Sequence, residues 1–123
     1  MTVNAMVWVK LASFMMFLGV ALGAFGAHAL KGKVDAYFLD VFKTGVLYHM
    51  VHALGLFAVA WLSTISQDPK IAWAGYLMIA GIVLFSGSLY AMTLTGLRPL
   101  GAITPFGGLS FLAAWVLILT IKF

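Results

Sequence analysis

Four long apolar runs, separated by short charged or turn-forming segments, dominate this sequence. They cover residues 11–30, 44–65, 71–95 and 102–121, and none of them contains an Asp, Glu, Lys or Arg. A bilayer core about 30 Å thick requires about 20 apolar helical residues. Because unpaired backbone groups are prohibitive in lipid, runs of this length are expected to be helices. The pattern predicts an all-α integral membrane four-helix bundle, with residues 1–123 forming a single transmembrane domain.

The segment between the first two apolar runs has a different pattern. Val34, Tyr37, Phe38 and Val41 follow i, i+3, i+4, i+7 spacing, which is typical of one apolar face of a helix. The charged residues of the segment fall outside this stripe. We therefore predict a short amphipathic interfacial helix between spans 1 and 2; the alternative is an extension of span 2.

Composition strengthens the membrane interpretation. The chain is 64% apolar and 8% charged, whereas a soluble domain keeps roughly a quarter of its residues charged. Cys is absent, which excludes disulfides and thiol chemistry. The net charge of +4 comes from single residues at the span ends, a pattern typical of interface anchors. We expect the lipid bilayer, not nucleic acid, as partner, and a multi-pass location in the inner (plasma) membrane if the source is bacterial.

Polar side chains inside the spans concentrate near one membrane face. The end of span 1, the start of span 2, the end of span 3 and the start of span 4 all meet at that face. At 1.5 Å per residue, His52 and Ser88 each lie on the order of 10 Å inside their span ends. Polar groups in hydrocarbon need partners or a wet cavity. The candidate polar cluster consists of His28, Tyr48, His52, Ser86, Ser88, Tyr90, Arg98 and Thr104.

Two histidines raise the question of a metal. His49 and His52, at i and i+3, are weak candidate ligands on one helical face. No Cys is available and no carboxylate is clearly placed to complete a site, so we predict neither metal nor cofactor. The favoured interpretation is that His52 forms a hydrogen bond across the bundle to a Ser or Tyr of span 3. The alternative is a ligand pocket that uses His52, Tyr90 and Arg98.

Small residues indicate where helices approach closely. Gly19 and Gly23 form a G-x-x-x-G pattern that Gly26 extends, and Gly87 belongs to a similar small-residue pattern in span 3. Such faces pack either the chain's own helices or a second copy. A homo-oligomer through these faces is therefore an alternative to purely internal packing.

Several motifs together resemble a known family. In chain order they are Gly23-Ala-Phe-Gly-Ala-His28, Phe42-Lys-Thr-Gly-Val-Leu-Tyr48 with His52-Ala-Leu, Phe85-Ser-Gly-Ser-Leu-Tyr90, Gly101-Ala-Ile-Thr-Pro-Phe-Gly-Gly108, and Trp115. The chain resembles, over essentially its whole length, the small four-span membrane proteins of the bacterial YgdD/YwdK type, to which a vertebrate transmembrane protein of similar size is related. That family is catalogued as a domain of unknown function, so the resemblance implies a fold and no activity.

The resemblance also bears on individual residues. It implies that His28, His52, Ser86, Ser88, Tyr90, Thr104 and Pro105 belong to the family's signature. The family pattern more often has Gln at the position of His49, which argues against His49 as an obligatory metal ligand.

Three classes of function remain compatible with the sequence. The first is an uncharacterised membrane protein that binds a lipid, quinone or other small amphiphile near one face. The others are an oligomeric small transporter or channel, and an accessory or structural subunit of a larger membrane complex. We do not expect an enzyme, because no paired carboxylate, nucleophile motif or phosphate loop is present.

Overall fold

The structure is a computed structural model that describes residues 3–123. Its first helix, α1, is α-helical over Val3–Ala21, passes through a π-helical turn at Leu22–Gly26 and ends with Ala27–Leu30. A short turn then leads into α2, which runs without interruption over Ala36–Leu62.

The second half of the chain also begins with a helix that a π-helical turn interrupts. Helix α3 is α-helical over Lys70–Gly81, passes through a π-helical turn at Ile82–Ser86 and continues over Gly87–Thr95. A 3₁₀ turn at Arg98–Ala102 then precedes α4, Thr104–Leu119. Four helices of the described chain are long and apolar enough to cross a membrane. The predicted all-α, four-span fold is therefore confirmed.

The separate interfacial helix is not confirmed. Residues 36–43 form the first two turns of α2, so the structure agrees with the alternative, an extension of span 2. The physical reason is that no proline interrupts the segment between Ala36 and Leu62. The Thr44 hydroxyl also donates to the carbonyl of Asp40, 3.0 Å away, within the same helix.

Helices α2 and α3 form the centre of the bundle. About half of the most apolar stretch of α2 (50%) and of α3 (44%) is buried, against 22% for α1 and 17% for α4. Helix α1 packs along α2, and α4 packs along α3. The outer faces of α1 and α4 therefore carry most of the apolar surface that meets lipid. We call the face with the turns at residues 31–35 and 96–103 the loop side, and the opposite face the termini side.

The glycines of α1 pack within the chain. A Cβ at Gly26 would lie 2.8 Å from the ring of Phe42, and one at Gly19 would lie 2.9 Å from Met50. Gly23 faces Val46 in the same way. The small-residue face of α1 is thus covered by α2.

Gly87 differs from the α1 glycines. A Cβ at this position would meet only the carbonyl of Ile82, at 3.9 Å, which is ordinary contact. Close approach of a neighbouring helix does not require glycine there.

A hydrogen-bonded clasp closes the termini side. Asp68, in the turn before α3, accepts from the backbone N–H of Lys70 (3.0 Å) and of Lys122 (2.9 Å). The Ser66 hydroxyl donates to the carbonyl of Lys122, and the Lys70 ammonium donates to the carbonyl of Thr120. The two backbone donors, with Lys122 the larger contributor, hold the pKa of Asp68 below its ordinary value. The clasp joins the chain end to the turn between α2 and α3.

Candidate functional site

His52 forms the centre of a polar contact between α2 and α4. Its side chain is only 4% exposed. The indole N–H of Trp115 donates to His52 Nε2 over 3.0 Å, and His52 Nδ1 lies 2.8 Å from the carbonyl of Tyr48, one turn earlier in α2. The imidazole also stacks on Phe111, with ring centroids 3.5 Å apart and planes 9° from parallel.

These partners define the tautomer of His52. A carbonyl oxygen can only accept and an indole N–H can only donate, so Nδ1 carries the proton and Nε2 presents its lone pair. The ring is therefore neutral, with both nitrogens satisfied. The predicted partner on span 3 is wrong: the bond across the bundle goes to Trp115 on α4, because α2 turns His52 toward that helix.

A groove runs along the outside of the bundle over this contact. It has a volume of about 540 Å³. Leu109 and Leu112 on α4 are each 63% exposed at its rim, so the groove opens toward the bilayer. Its lining consists of Tyr48, His52, Phe85, Pro105, Gly108, Leu109, Phe111, Leu112 and Trp115. No charged side chain belongs to this lining.

Among the polar side chains that line the groove in the described part of the chain, that of Tyr48 is the one not already engaged. Its ring lies 4.7 Å from that of Phe85 and nearly parallel to those of His52 and Phe111. Its hydroxyl forms no hydrogen bond with any residue of the described part, 3–123, while the groups of His52 and Trp115 bond each other. Tyr48 lines the groove and is 42% exposed.

His49 belongs to a different cluster. Its Nε2 donates to the carbonyl of Met15 on α1 (2.8 Å), and its Nδ1 accepts from the Tyr90 hydroxyl on α3 (2.8 Å). His49 therefore faces α1 and α3, whereas His52 faces α4. The two weak metal candidates do not converge on one point, and all four of their ring nitrogens have protein partners.

The serines of α3 tie this helix to its two neighbours. Ser86, fully buried in the π-helical turn, donates to the carbonyl of Gly45 on α2 (2.7 Å). Ser88 lies 2.6 Å from the Thr104 hydroxyl at the start of α4. A hydroxyl that bonds a neighbouring helix replaces the water that hydrocarbon cannot supply. These residues of the predicted cluster are therefore structural contacts around the groove.

Two members of the predicted cluster lie apart from it. His28 is exposed on the last turn of α1. Arg98 lies over the ring of Tyr37, with its guanidinium carbon 4.5 Å from the ring centroid. Tyr37 precedes His52 by fifteen residues of α2, which is roughly 22 Å along the helix axis. One small head group therefore cannot contact both Arg98 and His52.

The sequence alone does not single out the face of α4 that forms one wall of the groove. Gly108, Phe111, Leu112 and Trp115 follow i, i+3, i+4, i+7 spacing, the signal of one helix face. In a helix that is apolar on every side this spacing does not stand out. Only Trp115, with a polar N–H that must be satisfied at depth, carried a usable signal.

Fold and site together define an integral membrane four-helix protein with a lateral groove on its loop-side half. The chain belongs to the family described as protein of unknown function (DUF423), whose model matches residues 22–108. This confirms the resemblance found in the motifs.

Similar proteins occur in several bacteria. The chain is 52% identical over 113 residues to the UPF0382 membrane protein YwdK of Bacillus subtilis, covering 91% of this chain and 92% of YwdK. It is 42% identical over 118 residues to a UPF0382 membrane protein of Staphylococcus haemolyticus, covering 94% of this chain and 96% of that protein. No solved structure gives a significant match. The relatives thus support the membrane assignment and name no activity.

Proposed function

We propose that this protein binds a small amphiphile (a lipid, a quinone or a similar molecule) in the groove between α2 and α4, without chemical conversion of the ligand. The observation that carries the proposal is the groove of about 540 Å³. Ligand sites are typically concave, largely apolar and equipped with few polar groups. Because the relatives are bacterial membrane proteins, we propose the cytoplasmic (inner) membrane as its location.

The geometry favours a ligand that enters from the bilayer. The groove opens on the outer surface of the bundle, where Leu109 and Leu112 are exposed at membrane depth. A lipid-soluble molecule can reach it laterally without crossing the protein. A water-soluble ligand would have to pass through hydrocarbon first.

Binding is favoured over catalysis by the state of the polar groups. His52 has both nitrogens engaged, by Tyr48 and Trp115, and no carboxylate of residues 3–123 bonds it. The Ser86 hydroxyl donates to a backbone carbonyl, which leaves it unsuited to attack a substrate. An activated nucleophile needs an adjacent base within hydrogen-bond reach, and this arrangement does not supply one.

Gly108 offers a direct test of the groove. A Cβ there would meet only Phe85, at 3.9 Å, so a larger side chain can extend into the groove without disturbing the helix contacts. In Gly108→Leu we expect a defined small-molecule adduct, seen by native mass spectrometry of protein released gently from its own membranes, to disappear. The wild type should carry it.

The matched control is Ala113→Leu, which adds a similar volume to an exposed position of α4 outside the groove. This variant should keep the adduct. If wild type and both variants carry the same adducts, or if the wild type carries none, the groove is not a binding site and the proposal fails.

A further inference from the structure

The groove carries information about the chemical class of its ligand. We infer that the ligand is a neutral, membrane-soluble ring compound with a carbonyl acceptor, of the quinone class, and that the hydroxyl of Tyr48 donates to that carbonyl. This inference rests on the proposed binding function and narrows it.

The first argument is charge. No Lys, Arg, Asp or Glu lines the groove. Arg98, the cation of the alternative ligand pocket, lies over the ring of Tyr37. Tyr37 and Tyr48 share a face of α2, because eleven residues are close to three helical turns. Those eleven residues correspond to roughly 16 Å along the axis. If Arg98 held the phosphate of a phospholipid, the ester groups of that lipid would therefore lie too far from Tyr48 to accept from its hydroxyl.

The second argument is hydrogen bonding. The indole N–H of Trp115 donates to His52 Nε2, and the Nδ1–H of His52 donates to the carbonyl of Tyr48, so neither side chain leaves a donor for a ligand. The Tyr48 hydroxyl is the remaining donor of the groove lining, and it forms no bond within the described chain. A hydroxyl that faces hydrocarbon costs free energy until it finds an acceptor. A ligand with a neutral carbonyl at this depth supplies that acceptor.

The third argument is shape. Five aromatic side chains line the groove: Tyr48, His52, Phe85, Phe111 and Trp115. Aromatic rings favour offset or edge-on contact with other flat rings, at centroid distances of about 4.5–7 Å. Leu109 and Leu112 form the exposed rim of the groove beside these rings, where an alkyl tail would lie. A flat head group with an apolar tail matches this arrangement of aromatic rings and exposed leucines.

The test uses two probes with the same decyl tail, one whose ring carries oxygen acceptors and one whose ring carries none. Purified full-length protein is placed in lipid nanodiscs free of quinone and titrated with decylubiquinone or with decylbenzene, and bound probe is counted by native mass spectrometry. We expect wild type to bind decylubiquinone more tightly. Tyr48→Phe, which keeps the ring, should weaken decylubiquinone binding about two- to tenfold, the usual effect of one neutral hydrogen bond, and leave decylbenzene unchanged.

Two further variants make the outcomes distinct. Tyr37→Phe removes a tyrosine hydroxyl outside the groove and should bind both probes like wild type, while Gly108→Leu should lose both. If Tyr48→Phe binds both probes like wild type, or weakens both equally, the carbonyl inference is overturned and groove binding stands. If Gly108→Leu binds both probes as wild type does, the proposed function itself is overturned.

Discussion

Trp115 illustrates how a single polar atom at membrane depth determines its surroundings. Its N–H needs an acceptor, and the chain supplies His52 Nε2 from a neighbouring helix. That bond fixes the proton of His52 on Nδ1, where the carbonyl of Tyr48 accepts it. The rings that form the floor of the groove are thereby held in one orientation. Preorganised walls of this kind reduce the entropy lost when a ligand binds.

We expect Trp115→Phe to destabilise the protein, because the nearly buried Nε2 of His52 would lose its donor. A buried polar group left without a partner costs about 1–3 kcal/mol. The measurement is the free energy of unfolding in mixed micelles. Trp61→Phe, at a position 62% exposed, is the control and should change the free energy by no more than about 0.5 kcal/mol. Equal effects of the two substitutions would show that the bond to His52 contributes nothing.

Two adjacent glycines of α4, Gly107 and Gly108, have different roles. Gly107 faces α3 so closely that a Cβ there would lie 2.7 Å from the Cα of Phe85 and closer still to its backbone nitrogen. Gly108, the next residue, faces the groove, with only Phe85 at 3.9 Å. One glycine permits the helix contact and the other keeps the groove open.

This difference predicts opposite effects for two alanine substitutions. Gly107→Ala forces Cβ into the backbone of α3 and should destabilise by about 1–3 kcal/mol or more, the usual effect of overpacking. Gly108→Ala meets no obstacle and should stabilise by roughly 0.5–1 kcal/mol, because alanine favours the helix. Unfolding of both variants under the same conditions tests the pair. A stable Gly107→Ala protein would contradict the close approach of α3 and α4.

The sequence predicts depth within the membrane better than it predicts helix rotation. Charges and apolar lengths place Tyr48, His52 and Ser88 on one side of the bundle. The direction in which each side chain points depends on which neighbour the helix meets, and helices that are apolar all round carry little periodicity to reveal it. The sequence therefore indicates the wrong helix for the partner of His52 and does not single out the face of α4 that forms the groove wall. The π-helical turns, at Leu22–Gly26 and Ile82–Ser86, also leave no recognisable pattern.

On the termini side, Asp68 joins the central helices to the last residues of the chain. Its carboxylate accepts from the backbone of Lys70, which opens α3, and from the backbone of Lys122, beyond α4. One side chain thus links the turn after α2 with the ends of the last two helices. The groove lies in the opposite half of the bundle, so this link can be weakened without touching the lining of the groove.

The lowered pKa of Asp68 gives the clasp a defined pH dependence. Because the folded-state pKa lies below the ordinary value of 3.8, the unfolded chain takes up the proton first as pH falls. The stabilisation is therefore complete above pH 3.8 and is lost as pH falls through the folded pKa. We expect Asp68→Asn to lower the Tm at about pH 7, and we expect the difference in Tm from wild type to shrink toward zero in acid. Ser66→Ala, which removes the neighbouring bond to Lys122 without a titrating group, should lower the Tm by an amount that stays constant over the same range. If the difference between wild type and Asp68→Asn is also constant with pH, the ionised carboxylate does not hold the clasp together.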